Sequence, residues 1–220
     1  IRVSRDISNS ILVMTPAGDV VVNAGMPGNG EIHRARFREV SDNTIAYLVL
    51  TQCHGDHFGG AHGLADADTQ IVAQENFSAC REYWRTLDDF YARRTNKLWG
   101  PVLGERSQVR DGLREVTPDI TFRDGHAFEL GGRAFRLLAM PGGESEDGAI
   151  VWLPRDRIAI TGNLFGPIFG NAEHEIVLHD ADYDLRLFAR DHDIGVAKLF
   201  DTKLAAQFLG EPSIGLASLV

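Results

Sequence analysis

Apolar residues in this chain come in short runs, cut apart by glycine, proline and aspartate. Residues 11–14 and 19–23 are mostly apolar and flank Pro16-Ala17-Gly18, the pattern of a β-hairpin. A Gly/Pro-rich loop over 25–30 leads into helical spacing over 31–40. Residues 45–51 form a nearly continuous apolar run, which predicts a strand buried on both faces. A loop over 52–60, a short helix over 61–65 and a strand over 71–73 follow. Residues 76–99 carry Phe77, Tyr83, Trp84, Phe90, Tyr91 and Trp99 and read as one or two helices. Their aromatics suit a core or cleft wall better than a platform for stacked bases. Residues 104–118 are polar and read as a loop or weak helix. Strands are predicted over 120–122, 127–130, 134–140, 149–153 and 158–161, separated by turns such as Gly131-Gly132 and Pro154-Arg155-Asp156. Strands, then helices, then strands predict an α/β sandwich.

The pattern changes after Gly170, and a boundary is expected within 171–174. Residues 175–220 are rich in Asp, Leu and Ala and poor in Gly. They read as a strand, a helix from Tyr183, a strand at Leu199-Phe200 and a helix from Thr202. Leu185, Phe188 and Ala189 share one face at helical spacing.

Composition narrows the function. The chain has 220 residues, 44% hydrophobic and 24% charged, enough for a packed core. A formal net charge of -9 argues against binding nucleic acid through its phosphates. Cys53 and Cys80 are the only cysteines, too few for a disulfide framework or a cysteine-rich zinc site. Read as free thiols, they point to a reducing, cytoplasmic setting. No apolar run reaches the roughly 18 residues of a membrane span, and no signal peptide is visible. The chain opens at Ile1 without a methionine, so the natural N-terminus is expected upstream.

The chemistry concentrates in Thr51-Gln52-Cys53-His54-Gly55-Asp56-His57-Phe58-Gly59-Gly60, directly after the predicted buried strand. Two imidazoles and a carboxylate within four residues are nitrogen and oxygen donors of the kind zinc and similar ions prefer. A loop at a strand end lets such donors converge on one point while the sheet holds them. His33, His62 and His126 lack ligand spacing and read as surface or hydrogen-bonded core residues.

This segment resembles the His-x-His-x-Asp-His signature of the metallo-β-lactamase superfamily, with Gln52 in place of the first His. Thr-Gln-x-His-x-Asp-His is similar to an alkyl-sulfatase-like branch, as are Ala73-Gln74-Glu75-Asn76-Phe77, Leu98-Trp99-Gly100 and Thr161-Gly162-Asn163-Leu164-Phe165-Gly166. The resemblance covers about 1–170 and implies an αββα sandwich, incomplete at its C-terminal end and followed by a short α/β fragment. It implies a later ligand from Pro141-Gly142-Gly143-Glu144-Ser145-Glu146-Asp147, where Glu144 takes the place of a His. Asn163 sits where a metal-bridging carboxylate is usual. With Gln52 and Asn163 so substituted, a full dinuclear site is in doubt. His54, Asp56, His57 and Glu144 are then expected to hold one metal, zinc or another divalent ion, with an open position for water. A metal lowers the pKa of such a water. The expected reaction is attack by metal-bound hydroxide on a small-molecule ester, a sulfate ester in the branch resembled. Asp56 is either a ligand or the general base.

The final family His has no counterpart after Asn163. Instead His179-Asp180-Ala181-Asp182-Tyr183-Asp184-Leu185-Arg186-Leu187, Leu199-Phe200-Asp201-Thr202-Lys203-Leu204-Ala205-Ala206-Gln207 and Gly215-Leu216-Ala217 resemble ribonuclease D, a 3′–5′ exonuclease. Only Asp184 matches that family's four metal-holding acids, and one carboxylate cannot clamp two metals. Three readings remain open: a metallohydrolase, a folded remnant without a complete metal site, and an exonuclease fragment.

Overall fold

The computed structural model describes residues 1–103, 113–141, 144–163, 176–178, 180–182, 185–186, 189–190, 196 and 199–215, with backbone alone at 95, 98–103 and 176–177. Two compact units divide between Leu164 and Phe165. The boundary expected within 171–174 and the helix start at Tyr183 lie outside the described residues, as do Phe188 and Asp184.

In the first unit one sheet has the order β1 (Arg2–Ser4), β2 (Ser10–Thr15), β3 (Gly18–Val22), β4 (Ile45–Val49), β5 (Gln70–Gln74), β6 (Ile120–Phe122). β1 to β3 are antiparallel; β3 to β6 run parallel. A second, antiparallel sheet has the order β10 (Ile158–Ile160), β9 (Ala149–Leu153), β8 (Arg133–Ala139), β7 (Gly125–Leu130).

Strand side chains alternate faces, so a strand buried on both sides feeds two cores. Leu12, Val21, Leu48 and Ala73 pack in a helix-side core with Phe37, Phe58, Leu64 and Phe77. Their neighbours Val13, Val20, Val22, Val49 and Val72 pack against Phe135, Leu137, Val151 and Leu153 of the second sheet. The nearly continuous apolar run of β4 has this cause: Leu48 serves one core and Val49 the other, and both are fully buried.

The helix layer contains α1 (Gly30–Arg38), α2 (Gly55–Phe58), α3 (Ala61–Leu64), α4 (Phe77–Thr86) and α5 (Asp88–Leu103). Where sequence left one or two helices open, there are two, breaking at Leu87. The short strand β1 and the helical turn α2 carry no clear sequence signal. α1 meets α3 backbone to backbone. A Cβ on Gly30 would stand 2.0 Å from the Gly60 carbonyl oxygen, and one on Gly63 would stand 2.7 Å from the Glu31 nitrogen. Arg34 spans the same seam, donating to the carbonyls of Gly63 (2.7 Å) and Leu64 (2.6 Å), which the short helix leaves without partners.

In the second unit, β11 (Ile176–Leu178) and β12 (Leu199–Asp201) form a parallel pair, and α6 (Thr202–Leu209) follows. The Asp201 carboxylate caps α6, accepting from the backbone nitrogens of Lys203 and Leu204. Gly210, at φ 74°, ends it. Among the described residues no helix is long and apolar enough to cross a membrane.

Candidate metal centre

Parallel strands gather functional loops at their carboxyl ends. The end of β3 delivers Asn23, and the end of β4 delivers Thr51 to His57. The second sheet joins this edge through Ala149 N, which donates to Thr51 O at 2.9 Å. The segments after β8 and β10 bring Glu144 and Asn163 to the same place.

His57 is fully buried, and its ring is fixed by a chain of hydrogen bonds. The Asn23 side-chain oxygen accepts from Thr51 N (2.9 Å) and from Thr51 Oγ1 (3.0 Å). The Thr51 hydroxyl hydrogen is thereby used, so at His57 Nδ1, 3.0 Å away, Thr51 Oγ1 accepts. The His57 proton therefore sits on Nδ1, and Nε2 turns a lone pair to the site. Burial pushes the His57 pKa down to about 4, against the raising pull of Asp56, so the ring is neutral at pH 7.

At that lone pair stands the Gln52 side-chain nitrogen, 2.7 Å from His57 Nε2. The same nitrogen lies 3.2 Å from His54 Nδ1 and 3.0 Å from Glu144 Oε2. Three acceptors thus converge on an atom with two hydrogens. Moving the His54 proton to Nδ1 gives no relief, because an amide nitrogen has no lone pair to receive it. A cation, which can take all three lone pairs, fits the donor set better than the amide does. These separations are hydrogen-bond lengths, longer than the roughly 2.0–2.2 Å of a zinc bond.

Sequence expects His54, Asp56, His57 and Glu144 around one ion. Here they form two pairs. His54 Nδ1 stands 3.7 Å from Glu144 Oε1, and His57 Nε2 stands 3.8 Å from Asp56 Oδ2, with the Gln52 amide between them. Asn163 faces the first pair as a donor, giving a hydrogen bond to Glu144 Oε2 at 2.9 Å. Sequence reasoning missed Ser8 and Asn23. Ser8 Oγ donates to Asp56 Oδ2 at 2.5 Å and lies 2.9 Å from His57 Nε2. Its loop is held by Asp6, whose carboxylate accepts from Met26 N, Asn29 Nδ2 and the His33 ring. Burial raises the Asp6 pKa, but these bonds and one from Ile7 N outweigh it and hold the carboxyl well below the ordinary range. Asn23 sits directly after β3 at φ 60°, a conformation that asparagine tolerates well.

His33 is a hydrogen-bonded core residue, as expected, bonded to Ser4 and Asp6. His62 is exposed and His126 stacks near Phe122 and Phe128. Trp84 stands edge-on to His54 with ring centres 4.7 Å apart and packs on Tyr91. With Ala79, Cys80, Tyr83, Glu144 and Ser145 they wall a cleft of about 600 Å³.

A site of imidazoles and carboxylates at the mouth of a two-sheet sandwich defines the class, and comparison with known proteins agrees. The family profile of the Metallo-beta-lactamase superfamily matches residues 3–192. The chain belongs to that superfamily, whose members are divalent-metal-dependent hydrolases, usually with zinc. The match runs past the boundary expected within 171–174. A double mutant of the sec-alkyl sulfatase PisA1 superposes with a TM-score of 0.66 at 16% identity, covering 86% of this chain and 34% of that one. The stereoselective inverting sec-alkylsulfatase Pisa1 from Pseudomonas sp. gives 0.60 at 19% identity, over 70% of this chain and 28% of that one. A metallo-β-lactamase from Pontibacter korlensis gives 0.51 at 19% identity, over 86% and 80%. This chain thus spans about a third of the alkyl sulfatase's length. No curated protein sequence matches.

Proposed function

We propose that the chain is a metal-dependent hydrolase of small-molecule esters, with alkyl sulfate esters as the substrate class. One observation carries the metal reading: His54 Nδ1, His57 Nε2 and Glu144 Oε2 converge on the Gln52 amide, which has too few hydrogens for them. His54, Glu144 and His57 would hold the ion. Turning the Gln52 amide over would present its oxygen as a further neutral ligand. Asp56, anchored by Ser8 beside His57, would be a ligand or orient the attacking water. A bound divalent ion would supply a water of lowered pKa and polarise the ester oxygen.

The protein's own part is positioning. Asn23 and Thr51 fix the His57 tautomer, as outer partners of ligating imidazoles commonly do. Asn163 and Gln52 steady Glu144. The alkyl-sulfate preference draws on the sec-alkyl sulfatases among the similar structures and on the cleft walled by Trp84 and Tyr91, which offers apolar surface beside Glu144.

Metal content per chain, in protein prepared without chelator and in its His54→Ala/His57→Ala variant, tests this. The variant should hold one ion fewer and lose hydrolysis of an alkyl sulfate to background. Equal metal in both, with zinc supplied, would instead make the Gln52 amide a permanent occupant and the chain a folded relative of active enzymes with no ion at this centre.

A further inference from the structure

Cys53 lies between Gln52 and His54 in sequence, but its side chain is in the helix-side core and fully buried. There Cys53 Sγ, Cys80 Sγ from α4 and a carboxylate oxygen of Asp147 lie within 4.8 Å of one another. Among the described residues these are the acid, imidazole and thiol groups that bring three ligand atoms so close. Asp147 is 1% exposed. Its Oδ1 accepts from Ser145 Oγ; its Oδ2 is buried with no hydrogen-bond partner among the described residues. A buried carboxylate oxygen left bare beside two thiols is an anomaly, because buried charges are ordinarily paired or bound to metal.

We propose that Cys53 Sγ, Cys80 Sγ and Asp147 Oδ2 form a second metal site, selective for a thiophilic divalent cation such as Zn²⁺ or Cd²⁺. Thiolates with one carboxylate suit such ions. Ligand atoms around a tetrahedral zinc stand roughly 3.3–3.8 Å apart, from bonds of about 2.0–2.3 Å, so small side-chain movements close the observed spacing. Binding deprotonates both thiols and releases two protons to solvent. Cys80 is half-buried and lines the 600 Å³ cleft, which gives the ion an entry and a fourth position open to water. Glu144 directly precedes the turn of residues 145–148 that carries Asp147, closed by Gly148 N donating to Ser145 O at 3.2 Å. An ion here ties that turn to α4 and so fixes Glu144 opposite Gln52.

Cobalt titration of the full chain with both thiols reduced tests the site, because only thiolate ligation gives an intense near-ultraviolet charge-transfer band. The band should develop at one equivalent and persist in the His54→Ala/His57→Ala variant, which separates this site from the imidazole cluster. It should vanish in Cys80→Ser, and Asp147→Asn should weaken cobalt binding by at least about tenfold. In the unaltered chain Cd²⁺ should slow alkylation of Cys80 at least about tenfold, a readout that needs no variant. Absence of the band at saturating cobalt, or an equal band in Cys80→Ser, or alkylation unaffected by Cd²⁺, would overturn the proposal.

Discussion

The two halves of the candidate centre are built in opposite ways. On the β4 side, His57 is fully buried, its tautomer set by Thr51 and Asn23, and its neighbour Asp56 anchored by Ser8. On the second-sheet side, the Glu144 side chain is 47% exposed and held by the amides of Gln52 and Asn163. The first half is part of the fold; the second is fastened to it. Preorganisation and stability are therefore coupled in one half and separable in the other.

The largest effect should come from Asn23→Ala. It strands two buried Thr51 donors and puts alanine at φ 60°, which together should cost about 2–4 kcal/mol. A drop in Tm should accompany metal binding weakened by roughly 10–100-fold. An unchanged Tm would dissolve the contrast between the halves. Glu144→Gln should show the reverse: metal affinity lower by roughly 10–100-fold, with stability within about 0.5 kcal/mol of the parent by denaturant titration. A large loss of stability there would mean that the exposed half is also structural.

The third test uses acid. The Asp6 carboxyl is held below its ordinary value of 3.8, so the unfolded chain takes up this proton first as pH falls. The stability from Asp6 is fully present above about pH 5 and is lost progressively below it. In thermal melts, the gap between the parent and Asp6→Asn should be constant near neutrality and narrow as pH drops from about 5 to about 2. A gap that widens would reverse the sign and remove Asp6 as the anchor of the Ser8 loop. The smallest effect should be Trp84→Ala, a three- to tenfold rise, roughly, in KM for a long alkyl sulfate with kcat little changed. An unchanged KM would take Trp84 out of the substrate cleft.

What sequence revealed follows the same division. The hairpin of β2 and β3, the buried strand β4 and the His54-Gly55-Asp56-His57 turn are encoded within short windows, where alternation and crowded donors can be seen. Glu144 and Asn163 were reached by resemblance; Glu144 stands 3.7 Å from His54, and Asn163 bonds to Glu144. Ser8 and Asn23 were invisible, because a serine and an asparagine in loops look alike whether or not a histidine stands over them. Gln52 was visible as a missing His, yet its central place among three acceptors depends on side-chain directions that spacing does not give. Cys53 and Cys80 read as unrelated thiols for the same reason: the turn of α4 that brings them together is a tertiary fact.

The seam between α1 and α3 has a consequence for anyone randomising this protein. Gly30, Gly60 and Gly63 meet with carbonyl and nitrogen atoms where side chains would begin, so even alanine must drive two backbones apart. In a saturation library those three codons should come through selection for folded protein as glycine alone, while Gly28 and Gly132, which face open space, differ in kind. At φ 84° and 78° they should admit asparagine and aspartate before branched residues, a conformational filter in place of a steric wall.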